Sequence, residues 1–274
     1  MASAQFGNPK SIAGQGGAFT STMVPMELLR NLKRPRAIPI TISGANQVTF
    51  TVNAGVTNKV PIWNGDDFMY LDETVAYTWA ATANAILDST GAVASNTGST
   101  LGMWYFYIGY VSGVPTLYPS QTAPAEVEAP YPAGFLAHPG TARVRPYSYV
   151  GFHLCSTAAT PVFVAMTKTG FVYNTGDITV ATTATWAELA FTAAKALPAH
   201  EGVTVAGYLE TGANGSVTVS GNATDGVGGQ TVSDSAGTSY APFSGTPTTS
   251  NGKLWAKDVT ARGDVHVKEI TDIA

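Results

Sequence analysis

The chain has 274 residues, of which 45% are hydrophobic and 12% charged, with a formal net charge of −4. That length suits one large β domain or two smaller ones, and the hydrophobic share is enough for a substantial core. The charged share is about half the usual ~25%, so Thr, Ser, Asn, Gly and small apolar groups must cover much of the surface, as on a chain packed against other subunits. The balance excludes a nucleic-acid groove, because the single basic cluster, "RNLKRPR" from Arg30 to Arg36, is short and broken by Pro35.

In chain order, residues 1–22 are rich in Gly, Ser, Ala and Gln and carry no period of helix or strand. Such a segment has no core of its own. We expect residues 1–36 to form an extended attachment arm that docks on a neighbouring subunit. Phe6, Phe19, Met23 and Val24 are its apolar anchors, and Arg30, Lys33, Arg34 and Arg36 reach an acidic or carbonyl-rich surface beside them. A short helix fits "PMELLRNL", Pro25 to Leu32, before Pro35 and Pro39 extend the chain. The N-terminus carries no apolar leader core, so a product kept in the cytoplasm is expected.

From Ile38 the pattern turns to β. "IPITISG" and "QVTFTVNAG" alternate around "GAN", which predicts a hairpin. "KVPIWNGDDFMYLDETVAYTW" continues it, with Asn64-Gly65 as the turn. "GMWYFYIGYV" is almost wholly apolar and aromatic and reads as a strand buried on both faces. "SYVGFHLCS", "TPVFVAMTK", "GFVYNTGDITV", "GVTVAGYLE", "GSVTVSGN" and "KLWAKDV" supply further strands. The one interior helix the pattern allows is Ala184 to Pro198, and two short strands fit there equally well. Ser220 to Asn251 reads as a surface excursion with a single strand near "TSYAPF".

The expected fold is therefore all-β: an antiparallel sandwich or jelly-roll-like body over residues 37–274, with at most one or two short helices. Two subdomains, 37–125 and 143–274, are a variant of this division.

Chemistry-bearing patterns are sparse. The sole cysteine, Cys155, excludes an internal disulfide and reads as a buried thiol. The four histidines, His138, His153, His200 and His266, are not spaced as a ligand set, so no metal or cofactor is expected. No catalytic motif stands out. A carboxylate pair from Asp66, Asp67, Asp72 and Glu73 would suit glycan cleavage if held across a cleft. Turn chemistry and a strand end explain the same four residues better. Alternation sets Trp104, Phe106 and Ile108 on one face of their strand and Tyr105 and Tyr107 on the other. Tyr105, Tyr107 and the nearby Tyr110 would serve as a glycan-stacking face, a subunit interface or a second packed layer. Arg262-Gly263-Asp264 has the composition of an adhesion tripeptide, but "KLWAKDVTARGDVHVKEI" reads as two strands joined by "TARG". That puts Gly263 at the positive φ of a hairpin tip.

Two stretches carry a resemblance. The first is "GMWYFYIGYVSGVPTLYPSQTAPA" followed by "RVRPYSYVGFHLCS". The second is "LPAHEGVTVAGYLETG", with the C-terminal "KLWAKDVTARGDVHVKEI". Their order resembles β-rich structural and tail-fibre proteins of tailed bacteriophages over roughly two thirds of the chain. Those proteins carry a fuller Arg-rich turn than Arg143 and Arg145 provide. The resemblance implies a non-enzymatic virion component, a tail-fibre or head-decoration subunit. It would be made in the host cytoplasm, partnered by other virion subunits and commonly trimeric. A host-carbohydrate-binding module, using the Tyr face or the Ser220–Asn251 excursion, and a glycan-degrading enzyme are the competing readings.

Overall fold

A computed structural model describes residues 40–43, 48–53, 60–63, 68–71, 73–80, 83–96, 101–111, 113–127, 135–141, 147–155, 171–172, 178–200, 202–212, 214–222, 229–233, 239–249, 251–259 and 263–272. The expected arm, the expected helix at Pro25 to Leu32, Asp66, Asp67, Asp72, Arg262 and the strand expected at "TPVFVAMTK" lie outside these residues. Among the described residues, the strands with a defined register pair antiparallel. The fold is all-β, and among the described residues the helical content is two 3-10 turns, Pro139–Thr141 and Ala193–Lys195.

The chain divides into two compact units. The first holds the strands β1 (Ile40–Ser43), β2 (Val48–Val52), β3 (Val60–Trp63), β4 (Phe68–Leu71), β5 (Val75–Trp79), β6 (Asn84–Leu87) and β7 (Val93–Asn96). It also holds most of β8 (Gly102–Val111), then β9 (Val114–Ser120), β10 (Ala125–Glu126), β11 (Leu136–Ala137) and most of β12 (Ser148–Cys155). The two hairpins expected early in the chain are present: Ser43 pairs with Thr49, and Trp63 with Phe68. β1, β2 and β5 form one sheet, and β10-β11-β12-β8-β9 form a second. Aromatic side chains lock the two sheets together. The Phe50 ring lies 4.4 Å from Phe106, and Trp79 meets Trp104 edge-on at 4.8 Å. β10, β11 and β12 extend the sheet of β8.

The second unit holds β13 (Phe171–Val172), β14 (Ile178–Ala181), β15 (Ala187–Glu188), β16 (Val203–Thr211), β17 (Ser216–Ser220), β18 (Gln230–Ser233), β19 (Ser239–Pro247), β20 (Trp255–Asp258) and β21 (Asp264–Asp272). One sheet runs β13-β21-β16-β19, with β14 also on β21, and the other runs β15-β20-β17-β18. Val203, Val205 and Leu209 of β16, Val265, Val267 and Ile270 of β21 and Phe243 of β19 are buried. So are Val217 and Val219 of β17 and Ala256 of β20. Their two-residue spacing assigns one apolar face to each sheet. The Gln230 side chain ties β18 to β19: its amide donates to Ser244 O at 2.7 Å and accepts from Ser244 N–H at 3.3 Å.

One open choice is settled here and two expectations are corrected. Ala184 to Pro198 forms no α-helix. Ala187 and Glu188 pair with Ala256 and Trp255, and Leu189 N–H donates to Leu254 O at 2.9 Å, so sheet hydrogen bonds replace helical ones. Ser220 to Asn251 is not an excursion with one strand, because it supplies β18 and β19 to the two different sheets. The last two strands do not form a hairpin with each other. β20 pairs with β15 and β17, whereas β21 pairs with β13, β14 and β16. Gly263 therefore precedes a strand of a different sheet from β20, and its φ is not positive.

Candidate functional site

Alternation in β8 separates two faces, and both are core. Residues 102–109 are all buried, with Tyr105 2% and Tyr107 0% exposed. The Tyr face is thus a packed layer and no platform for sugar. Tyr107 donates its phenol proton to Thr122 O at 2.6 Å, and its ring lies 6.0 Å from Tyr149. Burial pushes the Tyr107 phenol well above its ordinary range, so it stays a donor. Gly109 belongs to the same face, and the Tyr147 ring occupies the space a Cβ would need there. Tyr110, at the strand end, is half-buried. Cys155 is a buried thiol, as its apolar run suggested. Glu73 is exposed.

A serine and a histidine do meet, at Ser120 Oγ and His138 Nε2, 3.2 Å apart and buried. The protons run the wrong way for nucleophilic catalysis. Gly140 N–H donates to His138 Nδ1 at 3.1 Å, which leaves the ring proton on Nε2. Nε2–H then faces Ser120 Oγ, and the serine proton goes to Leu87 O at 2.8 Å. His138 has no free lone pair with which to deprotonate Ser120, as a base must. Burial holds the His138 pKa below its ordinary value, against the opposing pull of Asp88. This pair joins β9 to the end of β6 and to the segment after β11.

Polar groups converge instead on the outer face of the β19-β16-β21 sheet. Leu209 turns inward from β16, so its neighbours Tyr208 and Glu210 turn outward. Val265 and Val267 turn inward from β21, so Asp264 and His266 turn outward. Register does the rest. Glu210 sits opposite Asp264 and also opposite Tyr240, while Tyr208 sits opposite His266. A bulge follows, since Ala206 pairs with Glu269 and Gly207 with Val267, which leaves Lys268 unmatched. Gly207 permits this approach, because a Cβ there would stand 1.8 Å from His266 O.

The side chains interlock. His266 Nε2–H donates to Glu210 Oε2 at 3.0 Å. The imidazole stacks on Tyr208 at 4.1 Å and 13°. Tyr240 donates to Glu210 Oε1 at 3.4 Å, and the nearby carboxylate raises the Tyr240 phenol above its ordinary range. Lys268 Nζ lies 5.7 Å from the centre of the Tyr208 ring. One donor atom from each of Glu210, Asp264 and His266 falls within 4.8 Å of the other two.

Sequence spacing missed this group, since its members are 54 and 56 residues apart across β16 and β21. A local signal was present. Asp264-Val265-His266 is the two-residue period that puts a carboxylate and an imidazole on one face of a strand. Comparisons with protein families, curated proteins and solved structures return no match. Among the described residues, no helix is long and apolar enough to cross a membrane.

Proposed function

We propose that the chain is a non-enzymatic structural subunit of a tailed-phage particle, a tail-fibre or head-decoration component, made in the host cytoplasm and assembled as a homotrimer. The observation that carries this reading is the fate of the aromatic strand. Tyr105 and Tyr107 were the strongest ligand-binding candidates in the sequence, and both are spent on core packing. The buried Ser120–His138 pair is likewise consumed in joining segments. Among the described residues the sheets end in strands paired on one side only, and with the chain's few charges this suits a scaffold whose edges are covered by neighbours. The motif order of the central and C-terminal strands supports the phage assignment, and residues 1–36 are the attachment segment in this reading.

Negative-stain microscopy of particles labelled with an antibody to the chain tests it. Labelling at the tail or the head is the expected result; unlabelled particles overturn the assignment. A chain lacking residues 1–22 is expected to stay folded and to fail to join particles.

A second reading has one observation in its favour. Tyr240 is 62% exposed and meets Tyr208 edge-on at 5.8 Å. This is an accessible aromatic pair beside a carboxylate, a suitable surface for stacking a host sugar. Binding on a glycan array that is lost in Tyr240→Ala would favour a receptor-binding role over a purely structural one.

A further inference from the structure

We propose that Glu210, Asp264 and His266 form a binding site for a divalent zinc-class cation on the outer face of the second unit. The ordinary explanation for the group is a His–Glu ion pair, and it accounts for only two of the three residues. His266 offsets one carboxylate at most. Asp264 brings a second carboxylate into the same 4.8 Å, where two like charges repel unless a cation lies between them. Lys268 is placed over the Tyr208 ring, 5.7 Å from its centre.

The support beneath the donors is rigid. All three stand on β16 and β21, which are paired over eight register positions from Val203↔Asp272 to Glu210↔Asp264. His266 is 8% exposed, and its ring is held flat on Tyr208. Tyr240 orients Glu210 through the oxygen that His266 does not use. Outer partners of this kind fix the direction in which a ligand atom points. Metal–ligand bonds of about 2.1 Å let two donors stand about 3.4 Å apart at a tetrahedral ion. The Glu210–His266 separation of 3.0 Å is close to that already, and a donor oxygen of Asp264 lies within 4.8 Å of both.

One imidazole and two carboxylates match zinc, which accepts nitrogen and oxygen donors together; calcium and magnesium prefer oxygen alone. Glu210 keeps 29% of its side chain exposed. The remaining coordination position therefore faces solvent, open to water or to an oxygen donor from another molecule. The site does not depend on the particle assignment.

Titration of the full-length chain with ZnCl2 by calorimetry, in buffer free of chelators, tests the proposal. One zinc per chain is expected. Glu210→Gln and Asp264→Asn, which keep side-chain size, should each weaken binding at least tenfold, and His266→Gln should abolish it. Folding of each variant is checked by circular dichroism. A second measurement needs no variant: zinc should shift the ring-proton signals of one of the four histidines in the wild-type NMR spectrum. No zinc uptake, uptake unchanged in all three variants, unshifted histidine signals, or equal preference for CaCl2 would each overturn the site.

Discussion

The carboxylate of Asp258 accepts the backbone N–H of Gly263 at 2.6 Å, although the two residues flank a crossing between different sheets. Asp258 ends β20 on its inward side and is 0% exposed. Its other oxygen accepts Ser216 N–H at 3.3 Å. On the far side of the crossing, Thr182 N–H and Oγ1–H both donate to Gly263 O, at 3.0 and 2.6 Å. One buried acid thus satisfies the backbone where the chain leaves one sheet for the other.

Asp258→Ala is expected to destabilise the second unit by about 2–4 kcal/mol, because two amide donors lose their acceptor at a buried position. Asp258→Asn keeps one acceptor oxygen and should lose less. Urea unfolding, followed separately for the two units, measures both. A midpoint unchanged in Asp258→Ala would show that the crossing is held by other contacts.

Gly263→Ala should also destabilise. A Cβ at this position would stand 2.3 Å from Val217 Cγ2 and 2.5 Å from Glu210 O. The backbone oxygen cannot rotate away, so the strands must part, at a cost of about 1–3 kcal/mol. A thermal midpoint unchanged from wild type would show that the space beside Gly263 is open after all.

Gly109 and Tyr147 are coupled by shape. A Cβ on Gly109 would fall 2.1 Å from the Tyr147 ring, which also meets Tyr118 edge-on at 5.7 Å. Gly109→Ala is expected to cost about 1–3 kcal/mol through overpacking. Adding Tyr147→Ala should recover part of that loss. A double-mutant cycle reads the coupling directly, and additive effects would refute the contact.

His138 makes stability fall on mild acidification. Its folded pKa lies below the ordinary value of 6.5 because burial disfavours the imidazolium. The unfolded chain therefore takes up the proton first. The sign is a loss of stability that begins as pH drops through about 6.5 and is complete below the folded pKa. Above that window the two states bind equally and His138 adds no slope. His138→Gln should flatten the pH dependence of the urea midpoint between about pH 7 and 5, and an identical slope in both proteins would exclude this role.

Much of the strand pattern was legible in the residues. "ITIS" and "VTFTV" alternate around a short connection, and such a hairpin needs only near neighbours to form. The unbroken apolar run of "GMWYFYIG" announced burial on both sides, and Tyr105 and Tyr107 bear that out. Cys155 was legible in the same way, from the apolar run around it. Ala184 to Pro198 was not, because its composition suits helix and strand alike. Its pairing with Trp255 and Ala256, far along the chain, settled the choice.

What the sequence determined by itself was the all-β class and most strand positions, since side-chain alternation and turn residues act over a few neighbours. Which strands lie side by side was decided by tertiary structure. "KLWAKDV" and "GDVHVKEI" alternate like the arms of a hairpin, yet Val217–Ser220 and Val203–Glu210 compete successfully for their edges. Local patterning cannot see that competition, because the hydrogen bonds on offer are chemically the same for either partner. The grouping of Glu210 with Asp264 and His266 follows from the same choice. A cross-strand register assembles it, and register is fixed only when the apolar faces of both sheets turn inward together.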